Sequence, residues 1–132
     1  MFDTKLKVLV VDDMATVRLV MTQCLMDLGF TDILQASTGQ MAWDVLTSAE
    51  SQIGLILSDW NMPKLTGVEL LRLIRGDRRY AKVPFLLVTT ESESQRVIEA
   101  VKAGVDDYIV KPFTTETLRE KLEAVYKRKS TQ

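Results

Sequence analysis

The chain has 132 residues, 46% of them apolar and 27% charged, which suits one packed domain with a wet surface and leaves little room for a second. Its 17 basic and 18 acidic residues nearly cancel, so neither nucleic acid nor an anionic membrane is indicated, and the absence of histidine excludes a His-ligated zinc site, a His-dependent triad and a phosphohistidine relay on this chain. A single cysteine (Cys24), no apolar run near the ~18 residues of a membrane span, and an N-terminal MFDTKLK without the apolar stretch of a secretory signal predict a cytoplasmic location.

Short aliphatic runs then alternate with longer segments at helical spacing. KVLVV (7–11) predicts a buried strand. From 14 to 28, Val17, Val20, Met21, Cys24, Leu25 and Leu28 share one helix face, and Gly29 marks the stop. DILQA (32–36) is a second strand, and Thr38 opens a helix over 38–48 with Met41, Ala42, Val45 and Leu46 inward. GLILS (54–58) is a third strand, delivering Asp59 at its end; the helix over 65–75 carries Val68, Leu71, Leu73 and Ile74. VPFLLVT (83–89) tolerates Pro84 at its start, and a helix over 92–103 with Val97, Ile98 and Val101 stops at Gly104. DYIVK (107–111) is the fifth strand; Thr114 then opens a helix to 127 with Leu118, Leu122, Val125 and Tyr126 inward, and KRK (127–129) reads as a solvated tail. Strand then helix, five times over, predicts an α/β fold: a doubly wound (βα)5 with a five-stranded parallel sheet covered on both faces. The pattern alone leaves strand order open; the flavodoxin-like order 2-1-3-4-5 is the common solution at this size.

In a parallel sheet every carboxyl end lies on one edge, where ligands bind. The first strand delivers Asp12 and Asp13 there, the third Asp59, the fourth Thr89 and Thr90, the fifth Lys111. Acids this close repel, and a hard cation such as Mg²⁺ removes the conflict. The plainer reading, that each Asp caps the following helix, accounts for one acid but not for the set with Lys111. In the 2-1-3-4-5 order the fifth strand lies roughly 10 Å from the third, a gap that a lysine stem largely covers. Thr89, one strand away, needs only a hydroxyl. Asp59 is thus the centre, a carboxylate nucleophile for a phosphoryl group, with Lys111 as point charge and Thr89 as donor. A cis Lys111–Pro112 peptide would aim the lysine inward.

VLVVDDM, SDWNMP, LLVTTES and DDYIVKPF, in that order and at these intervals, resemble the receiver domain of two-component response regulators over about residues 5–127. DWNMP and the single-domain length resemble its chemotaxis branch, the CheY type, whose fold is itself the standard example of the 2-1-3-4-5 order. The resemblance implies one receiver domain over 1–132, with no output domain. It implies that Asp59 accepts a phosphoryl group from a phosphohistidine on a CheA-like histidine kinase. Asp13, Asp59 and the backbone carbonyl of Asn61 would bind Mg²⁺, with Asp12 acting through water. Thr89 and Lys111 would contact the phosphoryl group. Tyr108 matches the switch aromatic, and Ser94, Val97, Ile98, Tyr108 and Lys121 would read out the switch to a flagellar switch protein or another effector. The expectation is a monomeric phosphoacceptor that catalyses only its own phosphorylation and dephosphorylation, with a phosphatase as a further partner. The alternative wiring is a phosphate sink or relay intermediate.

Some residues depart from that pattern. Thr90 stands where the chemotaxis type has a smaller residue, narrowing access to Asp59, and Glu93 and Ser94 stand where the enteric protein has a lysine pair. Trp60 is expected as a partly exposed loop aromatic and a fluorescence reporter. Two other chemistries lack their residues: an aspartyl-phosphate phosphatase needs Asp-x-Asp where Asn61 stands, and a flavin module needs a Ser/Thr/Gly-rich loop in place of DDMATV.

Overall fold

Strands that are apolar on both faces can be buried only between two layers of helices. The computed structural model describes residues 2–48, 52–90 and 94–130, with the backbone alone for 94–96. Its elements are β1 (Lys7–Val11), α1 (Ala15–Asp27), β2 (Asp32–Ala36), α2 (Gly39–Thr47), β3 (Ile53–Asp59), α3 (Gly67–Gly76), β4 (Phe85–Thr89), α4 (Ser94–Ala103), β5 (Asp107–Val110) and α5 (Thr115–Ser130). All pairings are parallel, in the order β2-β1-β3-β4-β5, the expected flavodoxin-like arrangement.

Alternation along the strands divides the core in two. Val8, Val10, Leu55, Leu57, Leu86, Val88 and Ile109 pack with Met21 and Leu25 of α1 and Leu118, Leu122 and Val125 of α5. Leu9, Val11, Ile56, Phe85 and Leu87 turn the other way, onto Ala42 and Leu46 of α2, Val68, Leu71 and Ile74 of α3 and Ala100 of α4.

Several positions of the expected helix stripes are exposed: Val20, Met41, Leu73, Val101 and Tyr126. Leu73 lies about 200° around the helix from Leu71, so Leu70 takes the inward place. On α4 the inward positions are Val97, half-buried, and the small Ala100, while Ile98 and Val101 face out. Tyr126 instead lays its ring edge-on against Phe2, centroids 5.2 Å apart. The KRK tail is not loose either: Arg128 donates to Asp106 O at 2.6 Å, and Lys129 pairs with Asp106 Oδ1 at 3.0 Å.

Helix ends follow their chemistry. Gly29 (φ 102°) and Gly104 (φ 94°) take the left-handed conformation that lets Phe30 N and Val105 N reach back to Leu25 O and Ala100 O, each at 3.1 Å. Thr38 and Thr114 accept from Met41 N and Thr117 N at 3.0 and 3.1 Å. Thr66 and Glu69 form a reciprocal capping box on α3, a spacing present in the sequence that the apolar periodicity passes over. No helix among the described residues is long and apolar enough to cross a membrane.

Candidate functional site

The register sets the heights of the side chains at the carboxyl edge. Val11 is level with Ser58, which places Asp12 level with Asp59. Asp59 pairs with Val88, so Thr89 stands one residue higher; Thr89 pairs with Val110, so Lys111 stands one higher again. Backbone bonds extend these ladders, Trp60 N to Val88 O at 2.9 Å and Lys111 N to Thr89 O at 2.7 Å. The Lys111 stem then returns across β4, and Nζ donates to Asp59 Oδ1 and to Asp12 Oδ2, both at 3.0 Å. The Lys111–Pro112 peptide is cis.

Three carboxylates meet this ammonium with different freedoms. Asp12 is fully buried and both of its oxygens are engaged, Oδ1 by Met14 N at 2.9 Å and Oδ2 by Lys111. Asp59 is buried and bonded through Oδ1 alone among the described residues. Asp13 is exposed, and its carboxylate makes no hydrogen bond among the described residues. One oxygen from each of the three lies within 4.8 Å of the others. An all-oxygen donor set of this kind fits a hard divalent ion such as Mg²⁺. Each Asp12 oxygen already accepts one bond from the chain, so Asp13 and Asp59 have the freer oxygens for direct contact with an ion, and Asn61 is exposed just beyond β3.

The same crowding governs protonation. Burial pushes the Asp59 carboxyl above its ordinary value of 3.8, and the charges of Asp12 and Asp13 push the same way against the bond from Lys111. Burial alone would lower the Lys111 amine, but its bonds to Asp12 and Asp59 outweigh that effect and raise it.

Thr89 is buried at the β4 tip. Thr90 is exposed and borders, with Val17, Val20, Lys111 and Phe113, an apolar groove of about 410 Å³. Val20 faces this groove, which explains its exposure. Trp60, expected partly exposed, is 7% accessible, because the β3 ladder continues through its backbone and its ring joins the core on the α3 side.

On the face expected to carry the readout, Tyr108 is half-buried on the edge strand β5 and Lys121 Nζ sits 4.9 Å from its ring centroid and 3.3 Å from Asp107 Oδ1. Val97 and Ile98 lie on α4, half-buried and exposed, and Ser94 opens that helix. The Ser94 side chain and all of Glu93 fall outside the described residues.

The motifs did not reveal two residues of the site. A Cβ on Gly67 would lie 2.3 Å from Asp59 O, so only glycine lets α3 start hard against the β3 end, where Gly67 N donates to Trp60 O at 2.9 Å. Arg18 of α1 donates through NH1 to Asp12 O at 2.6 Å and through Nε to Gln35 Oε1 at 3.1 Å. Between β3 and α3, Lys64 adopts φ 69° in a three-residue turn closed by Leu65 N to Pro63 O at 2.8 Å.

Residues 8–123 match the family model of the response regulator receiver domain. The chain is 47% identical over 120 residues to the chemotaxis protein CheY homolog of Campylobacter jejuni, covering 91% of this chain and 92% of that one. It is 43% identical over 123 residues to the chemotaxis protein CheY of Pseudomonas aeruginosa, covering 93% and 98%. The solved structure of Vibrio cholerae chemotaxis protein CheY4 superposes with a TM-score of 0.82 at 33% identity, covering 92% of this chain and 98% of that chain.

Proposed function

The chain belongs to the response regulator receiver domain family, and from that premise we propose a phosphorylation-dependent switch in which Asp59 accepts a phosphoryl group from a phosphohistidine on a partner kinase. One observation carries the reading: an ammonium from the β5 end lies 3.0 Å from Asp59 Oδ1 inside a cluster of three carboxylates. A charge brought across β4 to a buried acid is costly to arrange and suits an anion that arrives there.

In the transfer, an Asp59 oxygen forms the P–O bond as the P–N bond to the donor imidazole breaks. The electron pair of that bond stays on the imidazole nitrogen, which takes up a proton. Lys111 exchanges a carboxylate partner for a phosphoryl oxygen, and Thr89 donates its hydroxyl to another. Asp13, Asp59 and the Asn61 carbonyl would hold Mg²⁺, with Asp12 acting through water, and the ion would supply charge neutralisation at the phosphoryl oxygens. The bonds to Thr89 and Lys111 exist only in the phosphorylated form, so they shift a pre-existing equilibrium toward the active conformation. Tyr108 turns inward as Thr89 is drawn to the phosphate.

The relatives are named as chemotaxis proteins, and we read the output of this chain as chemotaxis, from a CheA-like kinase to a flagellar switch protein. The readout face is α4–β5–α5, where Val97, Ile98, Tyr108 and Lys121 lie with the start of α4 at Ser94. Incubation with acetyl phosphate and Mg²⁺ tests the acceptor. The wild-type chain should take up label on Asp59 and Asp59→Asn should take up none; equal labelling of the two would move the acceptor elsewhere.

A further inference from the structure

We propose that Arg18 is a positioning residue for Asp13, and that it sets the preference of the carboxylate cluster for a small divalent cation. This rests on the cation-site reading above. Asp12 is held by Met14 N and Lys111, and Asp59 by Lys111. Asp13 has no such hold among the described residues, so the direction of its carboxylate depends on the backbone that carries it.

That backbone starts with the rigid peptide plane shared by the Asp12 carbonyl and the Asp13 amide. Rotation of this plane is the soft motion that would swing Asp13 away from Asp59. The Arg18 guanidinium grips the plane at Asp12 O, 2.6 Å away, and is itself anchored on β2 by Gln35 Oε1 at 3.1 Å. A planar fork held at two points cannot turn without breaking a contact.

Both acceptors are neutral, and Arg18 forms no ion pair among the described residues. Its charge is therefore directed at neutral oxygens, on the backbone that carries two of the three acids. Charge alone would repel a cation; positioning alone would favour one. The two effects have opposite signs, so a substitution separates them.

The test is calorimetric titration of the full chain with Mg²⁺ and with Ca²⁺, for the wild type, Arg18→Met and Arg18→Lys. Mg²⁺ demands near-ideal geometry at about 2.0–2.1 Å, whereas Ca²⁺ accepts a looser shell at about 2.3–2.6 Å. Loss of the grip should lower Mg²⁺ affinity about tenfold and Ca²⁺ affinity less, so the ratio of the two falls. Arg18→Lys, which keeps a donor on a long stem, should restore part of the ratio. Tighter or unchanged Mg²⁺ binding in Arg18→Met, with the ratio unmoved, overturns the proposal and leaves Arg18 a surface charge. Should Arg18→Met fail to fold, Gln35→Leu removes the outer anchor alone; a smaller fall in the same ratio supports the proposal and no fall overturns it. A wild-type chain that binds neither ion overturns the cation-site reading and this inference together.

Discussion

Asp59 sits where its own charge is least welcome. It is buried, two further acids stand within 4.8 Å, and one ammonium serves both it and Asp12. On the proposed function, that cost is tolerated because a cation and a phosphoryl group would need the same charges. Asp13→Asn, which removes one like charge while Lys111 remains, should therefore raise the stability of the metal-free chain by on the order of 1 kcal/mol and abolish the stabilisation that Mg²⁺ gives. Urea midpoints in EDTA and in Mg²⁺ would show the two effects with opposite signs. The raised Asp59 pKa gives a second expectation at this scale. The folded chain holds that proton more tightly than the unfolded chain, so the contribution of Asp59 to stability is full below about 3.8 and is lost as pH rises through its raised native value. In EDTA, the stability of the wild type relative to Asp59→Asn should fall across that window; a flat difference would contradict it. What the sequence could show at this scale is also clear. Asp12, Asp13, Asp59, Thr89 and Lys111 were legible because each follows an aliphatic run that must be a strand. Arg18 and Gly67 were not, because each meets the site through a backbone oxygen, and a carbonyl has no letter of its own.

At the scale of an element, α3 shows how local chemistry aims a site. Its first turn must approach Asp59 closely, which Gly67 permits, and the Thr66–Glu69 box fixes where the helix begins. Thr66→Ala should cost about 1 kcal/mol in urea unfolding. The backbone bond from Thr66 holds the exposed Glu69 carboxyl below its ordinary 4.5. Here the sign is the reverse of Asp59: the stability contributed is full above about 4.5 and lost as pH falls through the lowered native value. Glu69→Gln keeps an acceptor oxygen without the charge, so the difference between it and the wild type should be present at neutral pH and vanish in acid. The helices also mark the limit of periodicity. It locates each one within a few residues and finds most of the inward face. It cannot fix the rotation of the helix on the sheet, because that is settled by contacts with other elements. Val20 is apolar and at good spacing, yet it faces a groove between elements, as does Leu73 from off the stripe.

Across the whole molecule the two edges of the sheet have different tasks. The carboxyl edge concentrates like charges that oppose folding, and the amino edge concentrates opposite charges that favour it. There Arg75 of α3 donates to Val83 O at 2.7 Å, Gly104 O at 2.8 Å and Asp106 Oδ2 at 2.9 Å. Asp106 also accepts from Phe85 N at 2.8 Å and pairs with Lys129 of α5 at 3.0 Å. One guanidinium and one carboxylate thus tie α3, β4, β5, the end of α4 and the end of α5. Burial pulls the Arg75 guanidinium below its ordinary value while Asp106 pushes back, which marks a pair whose members depend on each other. No sequence pattern announced this centre, since its partners are up to 31 residues apart and two of them are carbonyls. Arg75→Met keeps most of the stem but leaves Asp106 less well compensated and two carbonyls without their donor. It should lower stability by about 3 kcal/mol. Because the centre lies at the far end of the strands from Asp59, the folded fraction of the variant should still take up label from acetyl phosphate at the wild-type rate. Loss of stability with labelling intact would separate the structural edge from the chemical one; loss of labelling in folded protein would show that the two edges are coupled through the sheet.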